Sequence, residues 1–212
     1  ALNTAGTDQI TVTVNDANEA DLTAANLSVL GGKTAGTVTV TNAVAIEGTA
    51  AEVTAALVTA GTKVEVDDAT VNITTTPTIA ALNLIAAETT GVVTATLAAD
   101  SLANLAALNT AGTDQITVTV NDANEADLTA ANLSVLGGKT AGTVTVTNAV
   151  AITGDHDQVT AALVTAGTKV EVDDATVTIN DANDTDITAA ELSAIGGATL
   201  GTVTVTNAVA IE

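Results

Sequence analysis

His156 is the one histidine of the chain, and it stands between Asp155 and Asp157. A histidine serves nucleophilic catalysis when it sits within hydrogen-bond reach of a hydroxyl or thiol. There is no cysteine here, and an internal repeat puts Ala50 at the position equivalent to His156. The expectation is a solvated residue in a helix-capping turn, with no catalytic residue and no enzymatic activity. The carboxylates are the second chemistry. The turns at 15–21, 121–127 and 180–186 carry Asp16 and Asp21, then Asp122 and Asp127, then Asp181, Asp184 and Asp186. The pairs Asp67-Asp68 and Asp173-Asp174 recur with the repeat. Calcium takes six to eight hard oxygens, so stacked acidic turns are candidate calcium ligands. They lack the Gly and terminal Glu of an EF-hand loop. The competing use is helix capping and solvation, because Asp21, Asp127 and Asp186 each stand one residue before an expected helix. No other cofactor is implied.

Composition narrows the partners. Four lysines face 25 acids, a formal charge of −21, and there is no Phe, Trp or Tyr. Nucleic acid is excluded on that balance, because phosphate contacts need cations and base stacking needs aromatic rings. Yet 47% of residues are apolar, too many for a solvated tail. The core must be built from Val, Leu, Ile and Ala, which suits thin layers better than a thick globule. No apolar run reaches membrane-spanning length, so no membrane insertion is expected. With no initiator Met and no signal peptide, the chain reads as a mature or processed form or a segment of something longer.

These residues are set out by repetition at two levels. Residues 1–46 are identical to 107–152, and 53–71 to 159–177, so the 212 residues hold two 106-residue copies, 1–106 and 107–212. Within them the stretch 36–46, Gly-Thr-Val-Thr-Val-Thr-Asn-Ala-Val-Ala-Ile, returns at 142–152 and 201–211. Its Val/Thr alternation is the period of a half-buried strand. Between such strands lie helical stretches whose first large apolar residues are Leu22, Val53, Ile79, Leu102, Leu128, Val159 and Ile187, spaced 23 to 31 residues apart. Thr49 with Glu52 forms a capping box, Asp155 with Gln158 its counterpart, Pro77 opens a helix and Ser101 caps another. Strand, turn, helix and parallel strand make an α/β fold. The expectation is a single solenoid over 1–212, four coils per copy, stacking a parallel sheet on one face and short helices on the other.

Repeat length and strand-helix order resemble the leucine-rich-repeat architecture, although Asn42 falls one place early for its asparagine ladder. The wording of the repeats is similar to the tandem repeats of giant bacterial cell-surface proteins, cyanobacterial ones among them. That resemblance implies an extracellular, cell-surface location and a structural role. The outward pairs Thr11/Thr13, Thr39/Thr41 and Thr94/Thr96 resemble the threonine arrays of ice-binding solenoids, interrupted by Lys63 and Glu65. Neither end carries a polar capping coil, and uncapped solenoid ends expose strand edges and apolar faces. Head-to-tail self-association into a fibre or surface layer is therefore the leading expectation. A calcium-stiffened adhesin stalk, an ice-binding face and a consensus repeat without an evolved role stand as alternatives.

Overall fold

A threonine, a serine or an aspartate caps each of the helices among the described residues at its N-terminus. The computed structural model describes residues 2–212. It is an α/β protein of parallel sheets with seven helices among the described residues. The chain divides into two compact units. The first comprises residues up to Leu97 together with Asn109–Ile116, and the second comprises Ala98–Leu108 and Thr117–Glu212.

The first unit runs β1 (Val12–Val14), β2 (Asp21–Thr23), α1 (Ala24–Gly31), β3 (Val38–Val40), β4 (Ala45–Gly48), α2 (Ala50–Leu57), β5 (Thr70–Ile73), α3 (Ile79–Ala86) and β6 (Val93–Thr96). One ladder pairs β1 with β3, Val12 facing Val38, and is carried on by a bridge from Thr39 to Glu65. A second runs β2, β4, β5, β6, with Leu22 facing Ile46, Ile46 facing Val71 and Val71 facing Val93. All of these pairings are parallel.

The second unit holds α4 (Leu102–Leu105), β7 (Gln115–Val120, its first two residues in the first unit), β8 (Asp127–Thr129), α5 (Ala130–Gly137), β9 (Val144–Val146), β10 (Ala151–Gly154), α6 (His156–Leu163), β11 (Glu171–Val172), β12 (Thr176–Ile179), β13 (Asp186–Ile187), α7 (Ala189–Gly196), β14 (Val203–Val205) and β15 (Ala210–Ile211). Its ladders are again parallel: β7 with β9 and β11, then β8 with β10, β12 and β14, then β13 with β15.

The stretch 36–46 is thus two strands, not one. The backbone turns between Val40 and Ala45, so Val38 and Val40 enter one ladder and Ile46 the other. The alternation expected of a single strand merges the two because Val44 and Ile46 are buried as fully as Val38. Two helices begin where expected, α3 at Ile79 and α4 at Leu102, but others do not. Asp21, Asp127 and Asp186 lie in strands, and the caps are Thr23, Thr129 and Thr188, two residues later. A hydroxyl at the cap accepts the N–H three residues on, which the upstream carboxylates are too far away to do. Pro77 precedes the cap Thr78 rather than opening the helix behind it. The expected boxes of Thr49 with Glu52 and of Asp155 with Gln158 are present, starting α2 at Ala50, and Ser101 caps α4.

Eight-residue helices are marginal on their own, so they stand by packing. Val53, Ala56 and Leu57 bury one face of α2, which lies against α1 and α3, and Leu82 and Ile85 do the same for α3. Each fully buried Val, Leu or Ile contributes about 1.5–3 kcal/mol.

Candidate functional site

Two kinds of side-chain site emerge: a seam between successive strand-helix segments within each unit, and a cleft around His156.

The seam is built from a Thr-x-Gly step between helix and strand. Thr89 donates its hydroxyl to the Ala69 carbonyl at 2.6 Å and accepts the Gly91 N–H at 3.0 Å. Thr199 repeats this with Ala175 at 2.7 Å and Gly201 at 3.0 Å. Thr34 reaches the carbonyls of Asp8 and Ile10 and accepts the Gly36 N–H at 2.9 Å. These hydroxyls are buried or half-buried, and each satisfies backbone groups that the coil boundary would otherwise strand. The glycines permit the approach: a Cβ on Gly91 would stand 2.3 Å from the Ala69 oxygen, and on Gly201 2.2 Å from that of Ala175. An asparagine step accompanies it. Asn42, Asn148 and Asn207 donate their amides to the carbonyls of Asp16, Asp122 and Asp181, one coil earlier. Sequence reasoning set Asn42 aside as out of register for an asparagine ladder and passed over the threonine step, although Thr-x-Gly at 34–36, 89–91, 140–142 and 199–201 was there to be counted.

His156 departs from expectation: it is not a solvated turn residue. It is the first residue of α6, its side chain is 14% exposed, and Nδ1 lies 2.7 Å from Oδ1 of Asp181, whose side chain is 6% exposed. The backbone N–H of His156 donates to the other Asp181 oxygen at 2.8 Å. The hydrogen bond to Asp181 raises the imidazole pKa above 6.5, with the charges of Asp181, Asp157 and Glu191 adding to it against the opposing effect of burial. Nε2 faces Asp157 at 3.4 Å. The pair borders an open cleft of about 730 Å³ with Thr129, Thr153, Asn180 and Thr185 on its walls. In the first copy the same place is held by the Ala50 N–H donating to Thr75 Oγ1 at 3.0 Å. In the second unit, Asp122 accepts the N–H of Leu102, first residue of α4, at 2.7 Å. In both places an acidic turn later in the chain caps an earlier helix.

The remaining acidic candidates are scattered. Asp16, Asp67, Asp68, Asp173, Asp174 and Asp184 are exposed on turns, and Asp21, Asp127 and Asp186 are exposed on strands. Asp67 and Asp173 use their carbonyls to accept the N–H groups of Thr90 and Leu200. Among the described residues no three carboxylate or histidine groups converge on one point. Glu19, Glu125 and Asp184 hold the fifth position of the three acidic turns at φ of 63°, 64° and 64°. Their N–H groups donate to Ala43, Ala149 and Ala208, each at 2.7 Å. The threonine rows are short: Thr13 faces Thr39, which faces Glu65, and Thr119 faces Thr145, which faces Glu171.

No protein-family model, curated protein or solved structure matches the chain. Among the described residues no helix is long and apolar enough to cross a membrane.

Proposed function

We propose that this chain is a structural repeat protein, an acidic α/β solenoid that extends end to end into a fibre or surface layer outside the cell. The observation that carries the reading is one sequence in three environments. In the copies at 36–46 and 142–152, Val38, Val44 and Ile46, like Val144, Val150 and Ile152, are no more than 1% exposed. In the third copy Val203, Val205 and Val209 are only half-buried and Ile211 is 60% exposed. The residues are the same; what differs is whether another coil lies against them. The stretch is buried wherever a further strand-helix segment lies against it, which supports a fold that extends by adding like segments.

The high negative charge favours this role over a nucleic-acid one, and it keeps assemblies soluble and apart laterally. The cell-surface location rests on the wording of the repeats. Negative-stain electron microscopy with and without chelator tests the reading. Long uniform filaments in both conditions support end-to-end stacking through protein contacts. Filaments that dissolve on chelation make calcium the linker and support the stalk alternative. Discrete short particles in both conditions overturn assembly.

A further inference from the structure

The duplication supplies an internal comparison. Lys63 and Lys169 occupy equivalent places in two identical blocks, 53–71 and 159–177. Lys63 is half-buried, and its Nζ lies 2.7 Å from Oε2 of Glu88. Glu88 stands one residue before the seam threonine Thr89. The residue in that place before Thr199 is Ala198. Lys169 therefore has no carboxylate opposite it. It is exposed, and among the described residues it forms no side-chain hydrogen bond or ion pair.

A cleft of about 550 Å³ lies at this place in the second unit, bounded by Thr145, Val146, Thr147, Lys169, Val172 and Ala198. Its open side is set by topology. β14 pairs with β12, so no strand follows β11 in the ladder of β7, β9 and β11. The first copy does the same in mid-chain, where β6 joins β5 and the ladder of β1 and β3 stops at the Glu65 bridge. The exposures there match. Thr39 is half-buried like Thr145, Thr41 exposed like Thr147, and Val66 half-buried like Val172. Of these places only the lysine differs, half-buried where Glu88 meets it and exposed where Ala198 does not.

The first unit also shows what such a lysine holds, a carboxylate. We propose that the cleft around Lys169 binds a small monocarboxylate with a short aliphatic body, its carboxylate meeting Lys169 as that of Glu88 meets Lys63. Thr145 and Thr147 bring hydroxyl donors to the wall, and Val146, Val172 and Ala198 bring apolar surface for the body. Glu171 and Asp173 also border the cleft and repel a second negative charge. Their equivalents Glu65 and Asp67 leave the Lys63–Glu88 pair intact. The formal charge of −21 opposes an acidic macromolecule in the same way, so the site favours a ligand that is small and singly charged. An exposed ion pair is weak alone, so affinity depends on both ends of the ligand. The site does not require that chains assemble.

The test titrates the full chain with sodium butyrate at constant ionic strength and follows backbone amide shifts by NMR. A saturable one-site shift is expected at residues 145–147, 169–173 and 198, with n-butanol and n-butylammonium chloride producing none. Lys169→Met keeps the stem, removes the charge and is expected to weaken binding roughly tenfold. Ala198→Glu supplies the carboxylate from within and is expected to abolish binding. Glu88→Ala frees Lys63 and is expected to add a second site at residues 39–41 and 63–67. Unchanged shifts away from the cleft report that each variant is folded. Equal binding of n-butanol, binding that Lys169→Met leaves unchanged, or no saturation below about 0.1 M butyrate overturns the proposal. A Glu88→Ala chain that still takes one butyrate breaks the equivalence with Lys63 and overturns the assignment of a carboxylate.

Discussion

His156 and Asp181 are joined twice, by ring and by backbone, where the first copy has Ala50 and Thr75 joined once. Two substitutions 25 residues apart therefore act as one change of contact between neighbouring coils. Asp181→Ala removes both bonds and is expected to cost about 2–3 kcal/mol, since hydrogen bonds to charged groups are the stronger kind. His156→Ala with Asp181→Thr restores the first copy's pair and is expected to recover most of that loss. A double-mutant cycle read by urea denaturation checks the coupling.

The same pair sets a pH dependence. The folded-state pKa of His156 is raised by the Asp181 hydrogen bond, with Asp157 and Glu191 adding to it. A raised pKa means that the protonated ring stabilises the fold fully below about pH 6.5, its unfolded value. That contribution is lost as pH rises through the folded value. Tm is thus expected to fall from pH 6 towards pH 8, and the slope to vanish in His156→Ala. An unchanged slope in that variant assigns the titration to another group.

Gly91 and Gly61 give opposite outcomes for one substitution. A Cβ on Gly91 would stand 2.3 Å from the backbone oxygen of Ala69, whereas nothing lies within 4 Å of one on Gly61. Gly91→Ala must push two coils apart and is expected to cost about 3 kcal/mol or more. Gly61→Ala is expected to be neutral or to stabilise by roughly 0.5 kcal/mol, because it narrows the unfolded ensemble. Thermal melts of the two variants check this, and equal losses would mean that the Thr-x-Gly step is not the tight point of the seam.

The contrast between these glycines also shows what was legible in the chain. The α/β class, the strand period and two capping boxes follow from local pattern, because Thr49 with Glu52 satisfies its backbone partners within one turn. The second strand of each coil did not, since Val44 and Ile46 belong to a ladder whose partners are about 25 residues away. Thr23, not Asp21, caps α1 because the chain stays extended through Leu22 to reach Ile46. Local signals do not record that pairing. The His156–Asp181 contact was hidden for the same reason: each residue reads as an ordinary turn residue until the coils are laid together.

Glu125 occupies a left-handed backbone conformation, φ 64°, and Glu19 and Asp184 do so in the equivalent turns. For a side chain with a Cβ that conformation costs about 1–2 kcal/mol, while glycine adopts it freely. Part of the gain on replacement is offset by the larger entropy of unfolded glycine. Glu125→Gly is therefore expected to stabilise by about 0.5–1 kcal/mol, and it also removes one negative charge. Glu125→Gln separates the two effects: it changes the charge alone and is expected to leave Tm within a degree or so of wild type.

A formal charge of −21 on 212 residues makes self-repulsion a global term in stability. Raising NaCl from about 0.02 to 0.5 M shortens the screening length several-fold and is expected to raise Tm by roughly 2–4 °C, about 1 kcal/mol for a chain of this size. Asp122 and Asp181 each already accept a helix N–H, at 2.7 and 2.8 Å, so their carboxylates are engaged without an ion. CaCl2 at matched ionic strength is therefore expected to reproduce the NaCl rise and no more. A further rise that saturates with calcium, and that Asp16→Asn or Asp184→Asn removes, would instead place a bound ion in the acidic turns and make these coils cation-stiffened.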